Sequence, residues 1–343
     1  MERPTCLLMK IRIAINGFGR IGRNLFRLLR NHPTIDVVAI NDLADNKTMA
    51  HLLKYDSVHG KLNDTVSFDE NHLIVNDQKI VFLHEKDITK LDWSALNIDF
   101  VIESTGKHKT KALLQHHIAN GAKRVILSVP PEDNEIKTVV LGVNESILEG
   151  NELIVSNASC TTNNAAPMVK VIKELCGLDK AFITTVHSYT TDQSLHDQPH
   201  KDLRRARGAA QSIIPTTTGA AKALTKIFPE YEGKIGGGGI RVPVPDGSLT
   251  DITCYVDRDV TVEEINQAFK NASETTLKGI LEYTEDPIVS VDVIGNPHSC
   301  LFDAQLTTVL GRMVKVVGWY DNEIGYSSRI INLIEFLSQN KEN

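Results

Sequence analysis

The stretch Ile11-Arg12-Ile13-Ala14-Ile15-Asn16-Gly17-Phe18-Gly19-Arg20-Ile21-Gly22-Arg23 decides the fold. A short apolar run ends in a GxGxxG turn, which opens a helical pattern with Leu25, Leu28 and Leu29 on one face. A second apolar run at 37–40 ends in Asn41 and Asp42. Glycines at these spacings permit a tight turn, close approach of backbone to a pyrophosphate, and helix-to-strand packing; the helix start supplies N–H groups to the anion. Asp42 stands about where a ribose-binding acid belongs. Its carboxylate would accept from the ribose hydroxyls and repel a 2'-phosphate, so NAD is expected rather than NADP. The plainer alternative is that Asp42 caps a turn.

Further apolar runs at 100–103, 125–128 and 154–156 alternate with helical stretches such as 109–120. The pattern predicts a Rossmann, doubly wound parallel sheet over residues 1–158. Beyond Cys160 the runs 182–187, 239–244, 250–257, 288–293 and 313–320 read as longer strands with few helices between them. They predict an α+β catalytic domain, residues 159–323, on a mixed, largely antiparallel sheet. Residues 326–339 read as a closing helix, and the segment 324–343 is assigned to the first domain. The polar segment 188–211 is long for a loop, which marks it as functional or interface-forming.

Composition narrows the classes. A chain of 343 residues fits two domains, and 41% hydrophobic with 23% charged residues excludes disordered and fibrous proteins. A net charge of −6 gives no electrostatic case for a dedicated nucleic-acid or membrane partner. The five cysteines show no CxxC pairing, so neither a disulfide framework nor a metal site is expected, and a reducing, cytoplasmic setting fits. Residues 1–8 read as a short extension without assigned function.

Chemistry concentrates at Ser156-Asn157-Ala158-Ser159-Cys160-Thr161-Thr162-Asn163-Asn164, which follows an apolar run and precedes a helical pattern. Cys160 therefore falls at a helix start, where free N–H groups stabilise a thiolate and could hold an oxyanion. The other cysteines lie in apolar or terminal contexts that suit inert thiols. Among twelve histidines, His187 stands at the end of an apolar run and the start of the polar loop; spacing alone does not single it out as the base.

Together with the glycine turn and the Cys160 segment, three strings carry a family likeness: His200-Lys201-Asp202-Leu203-Arg204-Arg205-Ala206-Arg207, Thr217-Thr218-Gly219-Ala220-Ala221-Lys222-Ala223 and Trp319-Tyr320-Asp321-Asn322-Glu323. In this order, over nearly the whole chain, the sequence resembles the glyceraldehyde-3-phosphate dehydrogenases. The resemblance implies that Cys160 forms a hemithioacetal and then a thioester, with His187 as its base. It implies a site for the substrate's phosphate at Thr190, Asp192 and Arg241, and one for attacking inorganic phosphate at Ser159, Thr161, Thr218 and Gly219. It also implies cofactor contacts at Gly17, Gly19, Arg20, Ile21, Asp42, Ser128 and Asn322, with Lys86, Thr105 and Gly106 nearby. NAD as cofactor, glyceraldehyde 3-phosphate and phosphate as ligands, and a homotetramer follow from the likeness alone.

Two departures stand out. The run Gly236 to Gly239 before Arg241 suggests a flexible approach to that arginine, and Gln198 replaces an apolar residue before the retained Pro199. Arg204, Arg205 and Arg207 read as a solvated or subunit-contacting face and are left out of the catalytic set. An erythrose-4-phosphate dehydrogenase is the nearest alternative, and retention of Thr217-Thr218-Gly219 favours the phosphorylating reaction. A non-catalytic RNA- or protein-binding role is the alternative from another class. Acidity and the intact Cys160 and His187 speak against it as the main role.

Overall fold

The computed structural model describes residues 10–339; the segment 1–8 lies outside them. The chain divides into two compact units. Of the described residues, one holds 10–137, Leu148–Asn157 and 330–339, and the other holds Thr138–Ile147 and Ala158–Arg329.

In the first unit the strand Ile11–Asn16 pairs in parallel with Ile35–Asn41 on one side and Phe100–Glu103 on the other. Parallel pairing continues through Arg124–Leu127 to Ile154–Ser156, and from Ile35–Asn41 to Gln78–Leu83. The chain runs to one side of Ile11–Asn16 first and later returns to the other. That reversal makes a crevice at the carboxyl ends of Ile11–Asn16 and Phe100–Glu103, the place where open α/β sheets bind ligands. These strands are buried on both faces, with Ile13, Ala14, Ile15, Val101 and Ile102 fully enclosed, which is why they read as continuous apolar runs. The helix predicted at 109–120 is Lys111–Ala119, started by the Thr110 side chain.

The second unit is built on an eight-stranded mixed sheet. Lys180–Ser188 runs parallel to Ile235–Val242 and antiparallel to Ser248–Tyr255, which pairs with Met313–Tyr320. Helices Cys160–Cys176, Ala220–Ile227 and Val262–Glu274 contribute Met168, Ile172, Leu224 and Phe269 to a core shared with Ile183, Ile252 and Val316 of the sheet. Each such aliphatic or aromatic side chain, fully removed from water, contributes about 1.5–3 kcal/mol. The helix Val262–Glu274 is more than the sparse helices expected here. Its signals were the capping box of Thr261 and Glu264 and the spacing of buried Ile265 and Phe269.

Two expectations are corrected. Residues 288–293 form no strand; Ser290–Val293 is a short 3-10 turn with Val289 and Val291 exposed. The Asp292 carboxylate accepts from Val289 N at 2.8 Å, and this local bond replaces strand pairing. Nor is the glycine run loose. It lies inside Ile235–Val242, paired to Lys180–Ser188 on one side and Ile214–Thr216 on the other. A Cβ on Gly237 would come 2.8 Å from Ile183 O, so close backbone approach accounts for at least that glycine.

Candidate functional site

The second unit brings together Cys160 and His187, the expected nucleophile and its expected base. At Ala158 the backbone takes φ 56°, a left-handed conformation that a residue with a Cβ adopts only under constraint. The constraint is visible: Ala158 is fully buried, and its carbonyl accepts from Tyr326 Oη at 3.1 Å. Ser159 then caps the helix, its hydroxyl accepting from Thr162 N at 3.1 Å, and Cys160 is the first helical residue. Its Sγ lies 3.4 Å from His187 Nε2.

His187 is brought there by the strand Lys180–Ser188, whose parallel register sets it directly opposite Arg241. The guanidinium Nη1 donates to Ser188 O at 2.8 Å and lies 2.8 Å from His187 Nδ1, which is itself 2.8 Å from Ser188 O. Arg241 Nη1 can only donate, so while it faces Nδ1 it opposes a proton there; with that contact released, a proton on Nδ1 donates to Ser188 O and leaves Nε2 free to accept from the thiol. Burial, and then the charge of Arg241, lower the His187 pKa to about 3, so the ring is a neutral base throughout the neutral range. Burial pushes the Cys160 thiol up, opposed by the Arg241 charge and the Thr161 N–H. The resting pair is therefore a thiol beside a neutral imidazole.

The residues expected at the two phosphate sites have partners of their own. Thr190 Oγ1 donates to Asp192, and Arg205 reaches Asp192 Oδ2 at 2.7 Å, Thr216 Oγ1 at 2.9 Å and Thr217 O at 3.2 Å. Burial alone would raise Asp192, but the Thr190 hydroxyl and the charges of Arg241 and Arg205 outweigh it and hold the carboxyl below its usual range. Thr218 Oγ1 accepts from Ala220 N at 3.2 Å, and Gly219 precedes the helix Ala220–Ile227. Asn322 Oδ1 accepts from Ser188 Oγ at 2.8 Å and Ser248 Oγ at 2.7 Å, which fixes its amide.

Sequence reasoning missed several participants. Tyr320 Oη bonds Thr161 Oγ1 at 2.9 Å and Thr185 Oγ1 at 3.0 Å, and its ring meets His187 edge-on with centroids 5.9 Å apart. Its place at the end of a strand, inside a quoted motif, was the available signal. Arg205, in the charge run, ties Asp192 to Thr216 and Thr217, and Asp202 of the same loop accepts from Thr216 Oγ1 at 2.7 Å. Burial raises the thiols of Cys176, Cys254 and Cys300, Cys254 to about 12, as suits inert cysteines; Cys6 is outside the described residues.

In the first unit the expected cofactor residues collect at the carboxyl ends of the parallel strands. Gly17 has φ +98°, and a Cβ there would come 2.7 Å from Thr105 N; one on Gly22 would come 2.2 Å from Gly17 O. A Cβ on Gly19 would meet nothing within 4 Å, so the turn presents open backbone at the start of helix Arg20–Leu29. This is the cradle a pyrophosphate requires. Asp42 Oδ2 accepts from Phe18 N at 2.7 Å and Oδ1 from Ala44 N at 3.0 Å, so the acid braces the glycine turn and also makes the turn contact considered as its alternative. The Arg20 side chain is taken up by a bidentate pair with Asp56 at 2.6 and 3.2 Å, leaving its backbone and that of Ile21 at the helix start. Ser128 N bonds Glu103 O at 3.0 Å, while Lys86 is exposed one residue past Glu85.

Residues 11–111 match the NAD binding domain of glyceraldehyde 3-phosphate dehydrogenase, and residues 159–322 match that family's C-terminal domain. The chain belongs to the glyceraldehyde 3-phosphate dehydrogenase family. It is 52% identical to glyceraldehyde-3-phosphate dehydrogenase 1 of Bacillus cereus over 329 residues, 95% of this chain and 98% of the relative. Identity to the glyceraldehyde-3-phosphate dehydrogenase of Streptomyces coelicolor is 53% over 333 residues, and to that of Geobacillus stearothermophilus 50% over 332, each covering 96% of this chain and 99% of the relative. As a member of the glyceraldehyde 3-phosphate dehydrogenase family, the chain is an NAD-dependent dehydrogenase with NAD as its cofactor.

Proposed function

We propose that the chain oxidises glyceraldehyde 3-phosphate to 1,3-bisphosphoglycerate with inorganic phosphate, with Cys160 as nucleophile and His187 as base. The observation that carries this is the 3.4 Å approach of Cys160 Sγ to His187 Nε2, with Arg241 in register beside the imidazole. His187 takes the thiol proton as sulfur adds to the aldehyde carbon and returns it to the new oxyanion, giving the hemithioacetal hydroxyl and a neutral ring. The same imidazole takes the hemithioacetal hydroxyl proton as C1 is oxidised. NAD, when bound, would be held by the Gly17 to Gly22 turn, Asp42, Thr105 and Ser128 and would supply the hydride acceptor; the family likeness adds Asn322 to these contacts. Phosphate then attacks the thioester carbon, forming the acyl phosphate and expelling the Cys160 sulfur.

The family likeness assigns the anion sites. Thr190 and Arg241 are the donors to the substrate's phosphate, with Asp192 holding the Thr190 hydroxyl in place. Ser159, Thr161, Thr218 and Gly219 receive the attacking one, with Arg205 bracing both loops. Engagement of Arg241 by a phosphate draws its N–H groups from His187 Nδ1 and favours the tautomer that accepts the thiol proton.

The assembly is a homotetramer. Leu195, Leu203 and Ile213, on and beside the long loop, are 67%, 82% and 72% exposed in the single chain, a density of apolar surface that suits burial between subunits. The setting is cytoplasmic, in keeping with free cysteines and with the finding that no helix among the described residues is long and apolar enough to cross a membrane. The deciding assay is NAD reduction with glyceraldehyde 3-phosphate, expected to require phosphate and to vanish on alkylation of Cys160. Faster turnover of erythrose 4-phosphate under the same conditions would overturn the substrate assignment, and a fully active monomer in sedimentation analysis would remove the tetramer.

A further inference from the structure

At the strand ends beside the glycine turn lies a buried polar ladder of which the reading above uses only Thr105. Glu103 ends its strand directly opposite Asn16, the residue before Gly17, and is fully enclosed. Its Oε2 accepts from Asn16 Nδ2 at 2.6 Å and meets His117 Nε2 at 3.2 Å; its Oε1 accepts from Thr105 N at 2.9 Å and from the Thr105 hydroxyl. Four donors thus fill the acceptor capacity of one carboxylate. His117, also fully enclosed, has its tautomer set from behind: Trp93 Nε1 donates to His117 Nδ1 at 3.0 Å. An indole N–H can only donate, so the His117 proton sits on Nε2 and points at Glu103. On the other side Asn41 Nδ2 donates to Asn16 Oδ1 at 2.7 Å and to Glu85 O at 2.9 Å.

The ladder therefore ties the carboxyl ends of neighbouring parallel strands at the crevice where the sheet reverses its order. What stands on it is the cofactor cradle. Ser104 Oγ donates to Gly17 O at 2.7 Å, and Gly17 packs against Thr105 N so closely that even a Cβ would not fit. Any shift of Thr105 or Asn16 is passed to the glycine turn without slack.

We propose that Glu103 and His117 are positioning residues for NAD, holding the Gly17 turn and the Thr105–Gly106 loop at the separation the cofactor needs before it arrives. Affinity gains because the ordering is done in advance. A neutral amide at 103 cannot reproduce it: its NH2 would face the donors of Asn16 and His117, or those of Thr105. The proposal rests on the placement of NAD against the glycine turn.

The test is calorimetric titration of the cofactor-stripped, full-length protein with NAD. Glu103→Gln and His117→Phe should each weaken NAD by about tenfold, while kcat at saturating NAD holds, because the reacting groups are untouched. His117→Gln keeps an acceptor for Trp93 and a donor for Glu103, and should stay within about twofold of the parent. Equal weakening by His117→Phe and His117→Gln would reduce the role to packing and overturn the proposal. So would parental affinity in Glu103→Gln and His117→Phe beside an Asp42→Ala protein that has lost NAD. If Asp42→Ala itself binds NAD as the parent does, the cofactor placement fails and the positioning role falls with it. Should Glu103→Gln fail to fold, the two His117 variants carry the comparison.

Discussion

Two strand-to-helix junctions in this chain solve the same geometric problem by opposite means. After Ile11–Asn16 the chain turns at Gly17, φ +98°, where the absence of a side chain makes the left-handed conformation free of steric penalty. After Ile154–Ser156 it turns at Ala158, φ 56°, where the conformation is strained and is held by burial and by Tyr326. Neither following helix has an acidic residue in its first turn; the first has no side-chain cap, and the second is capped by the neutral hydroxyl of Ser159. The difference lies in what each junction presents. At the first, backbone must lie bare for a ligand; at the second, backbone must aim one sulfur, and a constrained alanine aims it better than a freely turning glycine.

The comparison breaks most visibly at the sulfur. Cys160→Ser should lower kcat by at least about 10⁴-fold with melting temperature and NAD affinity near parental, measured by steady-state assay, thermal scan and titration. Retained turnover would mean the second junction aims nothing. Next in size is Gly17→Ala, which adds about 1–3 kcal/mol of backbone strain on top of the clash with Thr105 N. NAD affinity should fall well over tenfold, while iodoacetamide still alkylates Cys160 at the parental rate.

Acid stability offers a third handle. His187 in the native state has its pKa lowered to about 3 from 6.5, so in that window the unfolded chain binds a proton the native one refuses. Native stability is therefore lost as pH falls through this range. In His187→Asn the loss between pH 7 and pH 5 should shrink by about 1–2 kcal/mol, read from urea midpoints. An unchanged difference would mean the imidazole is not sealed in as described. The smallest effect belongs to Ala158→Gly. Relief of about 1–2 kcal/mol of left-handed strain is offset by glycine's entropy of about 0.5–1 kcal/mol, so stability should barely move while kcat drops severalfold.

The parts of this architecture that were legible beforehand are those encoded by neighbours in the chain. The glycine turn, the Asp42 position and the helix starting at Cys160 depend on local spacing, and the structure has them where spacing put them. The contacts that complete the candidate site depend on register between distant strands. Nothing near Thr161 announces Tyr320, and nothing near His187 announces that Arg241 will lie opposite it. Residues 288–293 misled for a related reason: alternating valines mimic a strand, but the Asp292 carboxylate had already claimed the Val289 amide. The glycine run was misjudged because flexibility was inferred from composition, whereas two flanking strands take up its backbone groups.

The bond from Trp93 to His117 has a practical corollary. The sequence contains only two tryptophans, and the other, Trp319, belongs to the second unit, where its indole donates to Asp303 Oδ2 at 3.0 Å. Each half of the protein thus carries a single tryptophan, which can be excited selectively over the tyrosines. A Trp319→Phe protein would report in its emission on the floor of the nucleotide crevice alone, and a Trp93→Phe protein on the other half, with no label added.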